Sequence, residues 1–275
     1  MKADELLSWY LEMGVDEAIG ETKVNHLAVK KEPPQPQQTA PAMPKEMPAT
    51  LSSIPQNPMP APAPIKGPIE AVRQARQLAD NANSLEALRE AVMQFDGCAL
   101  KKTATNTVFS DGSPTARVML LGEAPGANED QEGIPFCGAS GKLQDKILAC
   151  IGLDRKKNLY ITNNLFWRPP GNRRPTPEEL AMCAPFVEKH IALMNPELLI
   201  LAGSTSASAL LGTKQGITGI RGKFLEYTNG YLKGKMIPVM ATFHPSYLLR
   251  QPSQKKLVWQ DMLEIKAFLE SKGAL

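Results

Sequence analysis

Residues 117–133 read RVMLLGEAPGANEDQEG. An apolar run over 117–122, too short for an ordinary helix, breaks off into glycine, proline, asparagine and acid, which is how a strand buried on both faces delivers a loop. The pattern recurs at 158–163 (NLYITN), 197–202 (ELLILA) and 236–243 (MIPVMATF). Between these runs the apolar spacing predicts helices over 142–151, over 177–194 with Thr176 as N-cap and Pro177 in the first turn, and over 205–211, with a closing helix over 257–271. Short apolar runs alternating with helices predict a parallel sheet with crossover connections. The expected fold is α/β, a three-layer α/β/α sandwich with a central parallel four-stranded sheet. Its ligand site should lie at the carboxyl ends of the strands.

Upstream, residues 69–95 carry two more helical patterns, the second starting at Ser84. Twelve of the 24 prolines fall between Pro33 and Pro68, among Gln, Ala, Met and Ser. Such a composition cannot bury enough apolar surface to offset its ordering entropy, so 31–68 reads as a disordered linker. Residues 1–30 hold a short amphipathic segment with Leu6, Leu7, Tyr10 and Leu11 at helical spacing, either a weakly ordered element or a docking peptide for a protein partner. The domain proper is then 69–275. No stretch has the layout of a secretory signal or the apolar length of a membrane span. Cys98, Cys137, Cys150 and Cys183 stand far apart with no CxxC pair. These features predict a cytoplasmic protein with free thiols, and nothing demands more than a monomer. The net charge of +3 permits a polyanionic ligand without selecting one.

The loops expected at the sheet's carboxyl edge are where unusual residues gather. They read GEAPGANED (122–130), GIPFCGASG (133–141), NLFWRPPGNRRPTPEE (164–179) and FHPSYLLR (243–250). Each joins small, backbone-exposing residues to groups that can hydrogen-bond a planar polar ligand.

Taken together and in this order over 95–275, these blocks resemble the motifs of type-4 uracil-DNA glycosylases. The resemblance implies a DNA repair enzyme that extrudes uracil from DNA and hydrolyses its N-glycosidic bond. It places Phe136 as the face on which the flipped base stacks, and Asn163 as the reader of the base, because one amide supplies both donor and acceptor to the O4 and N3–H edge. Glu123 and Ala124 shape the floor of the base pocket through their backbone. His244 is placed as a donor to uracil O2 as negative charge builds on the leaving base, and Glu129 as the carboxylate that activates the water. His26 and His190 have no such setting. Candidates for the DNA backbone are Arg168, Arg173, Arg174, Arg221, Lys223 and Arg250, with Ser246 and Arg250 favoured because they flank His244.

The chain departs from the family pattern at the [4Fe-4S] cluster. Of its four ligand positions, here Phe95, Cys98, Trp167 and Cys183, only two are cysteine. The expectation is therefore no cluster and no other cofactor, with aromatic side chains filling the space. Ala139 and Ser140 stand where a basic residue and alanine are usual, which weakens a DNA contact. A rival reading is a non-catalytic DNA-binding module related to phage DNA polymerase-associated proteins. Joint retention of Glu129, Phe136, Asn163 and His244 favours the enzyme. Another is a scaffold whose N-terminal arm recruits a repair or replication partner.

Overall fold

The computed structural model describes residues 67–274, so the expectations for the N-terminal segment and most of the linker lie outside the described residues. Six strands form one sheet: β1 (Asp111–Gly112), β2 (Val118–Gly122), β3 (Leu159–Asn163), β4 (Leu198–Ala202), β5 (Phe224–Tyr227) and β6 (Ile237–Thr242). Their order is β1-β3-β2-β4-β6-β5. The four inner strands are parallel and are the four runs read from the sequence. The two edge strands are antiparallel additions, so the sheet is mixed and six-stranded rather than purely parallel and four-stranded.

Helices cover both faces. On one lie α1 (Pro68–Asn81), α2 (Leu85–Gln94), α5 (Pro177–Met194) and α6 (Ser204–Leu211); on the other lie α4 (Ala139–Ala149), α8 (Pro245–Arg250) and α9 (Lys255–Ser271). Two short helices, α3 (Ala127–Glu132) and α7 (Ile217–Ile220), sit in the connections. Strand periodicity divides the core between the faces: Met119 and Leu121 of β2 pack with α1 and α5, while Val118 and Leu120 pack with α4 and α9. All five residues of β2 are buried, which explains their continuous apolar character.

Helix boundaries follow local chemistry. Ser84 caps α2 by accepting from the Ala87 amide at 3.1 Å. Thr176 and Glu179 form a reciprocal capping box at α5, with bonds of 3.2 and 2.8 Å. The face of α1 that meets the core is a stripe of alanines, Ala71, Ala75 and Ala79, whereas Ile69 is 88% exposed. His190, on α5, is fully buried, stacked on Phe109 at 4.5 Å and bonded to the Tyr160 hydroxyl at 2.8 Å. Burial pushes its pKa down to about 3, so it is a neutral core residue. Among the described residues, no helix is long and apolar enough to cross a membrane.

The chain leaves β2 for β3 on one side and returns past β2 to β4 on the other. Reversal of strand order opens a crevice at the carboxyl ends, and the candidate site lies there.

Candidate active site

A cleft of about 830 Å³ opens at that edge, and its lining includes Glu123, Ala124, Glu129, Phe136, Asn163 and His244. The parts of the site read from four separate sequence blocks are thus brought together, as are Ser246, Arg250 and Arg173 at its mouth.

Asn163 is the last residue of β3 and is 2% exposed. Gly122, paired with it at the end of β2, makes room: a Cβ there would sit 2.2 Å from Asn163 Oδ1 and 2.6 Å from the Phe136 ring. The glycine lets the amide and the aromatic ring meet over the strand end. The next residue, Asn164, has a different task. Its amide donates to Gly122 O at 2.8 Å and to Ser206 Oγ at 3.2 Å, tying β2, β3 and α6 together. Only the first asparagine of the pair lines the cleft. The Glu123 carbonyl accepts from the Leu165 amide at 3.1 Å, which fixes the floor.

His244 caps α8, with one residue between it and the end of β6. The Ser246 backbone amide donates to its Nδ1 at 3.2 Å, and the Ser246 hydroxyl lies 2.8 Å from the same atom. A backbone N–H can only donate, so Nδ1 presents its lone pair and the neutral ring carries its proton on Nε2. Burial, and then the charge of Arg250, push the pKa down to about 4, against a smaller opposing pull from Glu129. The imidazole is therefore a neutral donor near pH 7, 5.9 Å between centroids from the Phe136 ring.

This geometry revises the reading of Ser246. Its hydroxyl hydrogen is spent on Nδ1, so it has none left to donate to a phosphate. Its work is to fix the histidine tautomer. Arg221 is revised too. Its Nε donates to Asp261 at 3.2 Å, a second bond runs from Nη2 to the same carboxylate, and the side chain is only 13% exposed. It holds the connection between α7 and β5 to α9, its charge spent on a buried carboxylate. Arg173 lies at the mouth but forms a two-pronged pair with Glu179 at 2.9 and 2.6 Å.

Glu129 has a structural task the sequence reading missed. Oε2 accepts from the Gly126 amide at 3.1 Å and Oε1 from the Gly138 amide at 2.9 Å, so the carboxylate clasps the two loops that build the pocket. Each oxygen keeps a second lone pair. Its neighbour Asp130 is buried against the amides of Thr105 and Asn106 at 2.8 and 3.2 Å. Cys137, beside Phe136, is half-buried, and burial above all pushes its thiol up to about 11.

The residues at the family's cluster positions do not fit four-thiolate ligation. Phe95 and Trp167 are buried with ring centroids 6.4 Å apart, Phe186 packs on Phe95 at 5.3 Å, and Trp167 Nε1 donates to Thr107 at 3.0 Å. Cys98 and Cys183 are both fully buried. Their mutual contact, together with burial, pushes the Cys183 thiol up, so it stays protonated beside Cys98. Among the described residues, no group of three or more His, Cys, Asp or Glu side chains could hold a metal ion.

Residues 109–263 match the model of the uracil DNA glycosylase superfamily. The type-4 uracil-DNA glycosylase of Thermotoga maritima is 38% identical over 192 residues, which cover 69% of this chain and 96% of that protein. Its counterpart in Archaeoglobus fulgidus is 36% identical over 186 residues, covering 66% of this chain and 92% of that protein. A DNA polymerase of Bacillus phage SP01 is 29% identical over 174 residues, 63% of this chain but only 18% of that protein. With fold, cleft and these likenesses in agreement, the chain belongs to the uracil-DNA glycosylase superfamily, alongside its type-4 members.

Proposed function

We propose that this protein is a DNA repair glycosylase that hydrolyses the N-glycosidic bond of uracil flipped out of DNA. The observation that carries the proposal is the convergence of Phe136, Asn163, His244 and Glu129, from the ends of three strands, on one cleft. The flipped base stacks on Phe136, and the Asn163 amide reads its O4 and N3–H edge. As the C1′–N1 bond breaks, its electron pair leaves with the base, and the His244 Nε2–H donates to the O2 on which that charge collects. Water adds to the electron-poor C1′, giving up a proton toward Glu129, whose negative charge also faces the cationic sugar. Arg250 and Arg173 meet the phosphates, Arg173 by releasing Glu179. Retention of all four groups around one cleft speaks against a purely accessory module.

The reaction needs no metal, and the aromatic filling at Phe95 and Trp167 supports an enzyme without the family's iron–sulfur cluster. The N-terminal arm, residues 1–68, serves as a tether to a protein partner, and the cytoplasm is the setting.

The test is a duplex with a single uracil, incubated with the protein and then treated with alkali. Strand scission at that position is expected, with none at cytosine or thymine. Followed across pH, kcat/KM reports the free enzyme. Because the neutral imidazole is the working form and its pKa lies near 4, kcat/KM should stay level through the ordinary histidine value of 6.5 and fall only as pH drops through about 4. A rise on acidification would mean that the imidazolium is the active form.

A further inference from the structure

Phe136 holds a backbone conformation that phenylalanine rarely adopts, with φ at 54°. Something must keep it there, because a relaxed chain would swing the ring away from the strand ends. Its carbonyl is trapped on two sides. A Cβ on Gly141 would sit 1.8 Å from the Phe136 oxygen, so α4 crosses at the closest approach a backbone allows. On the other side stands Arg155, in the connection between α4 and β3.

Each of the five N–H bonds of the Arg155 guanidinium has an acceptor. Nη2 donates to Phe136 O at 2.9 Å and to Asp145 Oδ1 at 2.7 Å. Nη1 donates to Pro135 O at 3.1 Å and to Asp111 Oδ2 at 2.9 Å, and Nε to Asp145 Oδ1 at 3.1 Å. The side chain is 15% exposed. Two carboxylates fix the fork, and the fork fixes two successive carbonyls of the loop that ends in the stacking ring. Neither the site described above nor the family's motif blocks include this residue.

We propose that Arg155 is a positioning residue for base stacking: its guanidinium locks the Pro135–Phe136 carbonyls so that the Phe136 ring is preset to receive the extruded uracil. The inference rests on the stacking role given to Phe136. Lysine cannot substitute, since a single ammonium with three donors cannot span two carbonyls and two carboxylates. Preset geometry favours the step in which base and ring must already be aligned, so the effect belongs in the chemical rate and not in grip on the DNA backbone.

A double-mutant cycle tests this, with single-turnover excision measured at saturating enzyme on the single-uracil duplex for Arg155→Lys, Phe136→Ala and the pair. Arg155→Lys should slow excision about tenfold or more in the native background and less than about twofold once Phe136 is alanine, with affinity for an abasic duplex unchanged. The same fold-loss in both backgrounds would show that Arg155 acts only on general stability and would overturn the proposal. Phe136→Ala with undiminished excision would sink the stacking reading, and this inference with it. If Arg155→Lys shows no cooperative melting, Asp111→Asn takes its place in the cycle. It withdraws one anchor of the fork from the sheet edge, and the same loss of coupling is expected at about threefold in the native background.

Discussion

Replacing His244 with alanine should slow uracil excision by on the order of 10²–10³-fold while lowering the melting temperature by only about a few degrees, the cost of the lost α8 cap. The effect is large because, in the proposed mechanism, the ring supplies a hydrogen bond where charge appears only as the glycosidic bond breaks, in a partly dry cleft with its tautomer already set. The structural cost stays small because the ring is at a cleft wall and half-buried, so its loss opens no core cavity and takes from α8 only its cap. His244→Gln keeps an N–H of similar reach and should recover part of the rate. The check is a single-turnover time course at saturating enzyme, beside thermal melting of both variants. A His244→Ala protein that excises uracil at the native rate would remove the histidine from the mechanism.

Asn163→Ala should have an effect of similar size, on the order of 10²–10³-fold in kcat/KM, from the loss of two directed hydrogen bonds at about 1–3 kcal/mol each. The residue is 2% exposed at the end of β3, so water admitted by the truncation restores the bonds only in part. Replacing the neighbouring Asn164 should fail differently. Its amide spans Gly122 and Ser206, so its loss appears first as a lowered melting temperature. Comparing the two variants in kcat/KM and in melting separates base reading from scaffold.

These contrasts mark how far the sequence could be read. The inner strands were legible because burial on both faces leaves an unbroken apolar run, as in VMLLG and LLILA. The edge strands were not: β1 is two residues long, and in β5 the inward-facing Leu225 and Tyr227 alternate with an outer face that also carries an apolar residue, Phe224, so the letters FLEY do not show the alternation. The four polar loops were legible as a site because three follow a strand end directly and the fourth, 133–141, follows the first of them after the single short helix α3. What those side chains do to one another was not. Whether an arginine faces a phosphate or a buried carboxylate depends on contacts far along the chain. Arg221 meets Asp261 forty residues on, and Arg155 meets Asp111 at a separation of 44. Nor does the letter at 136 announce a left-handed phenylalanine; the signal lay in Gly141, whose missing side chain makes space for the carbonyl. The doubled role of Glu129 was hidden likewise, since its partners are backbone amides that any sequence provides.

Cysteine at only two of four cluster positions, with Phe95 and Trp167 packed between α2, α5 and the segment after β3, makes this protein a glycosylase whose scaffold is closed by aromatic side chains. Iron content and uracil excision should therefore be measured on one anaerobically purified sample. The expected result is protein without iron, and without the visible absorption of a cluster, that releases uracil from the single-uracil duplex at a rate proportional to protein concentration. Stoichiometric iron, or excision that rises and falls with iron content, would contradict it.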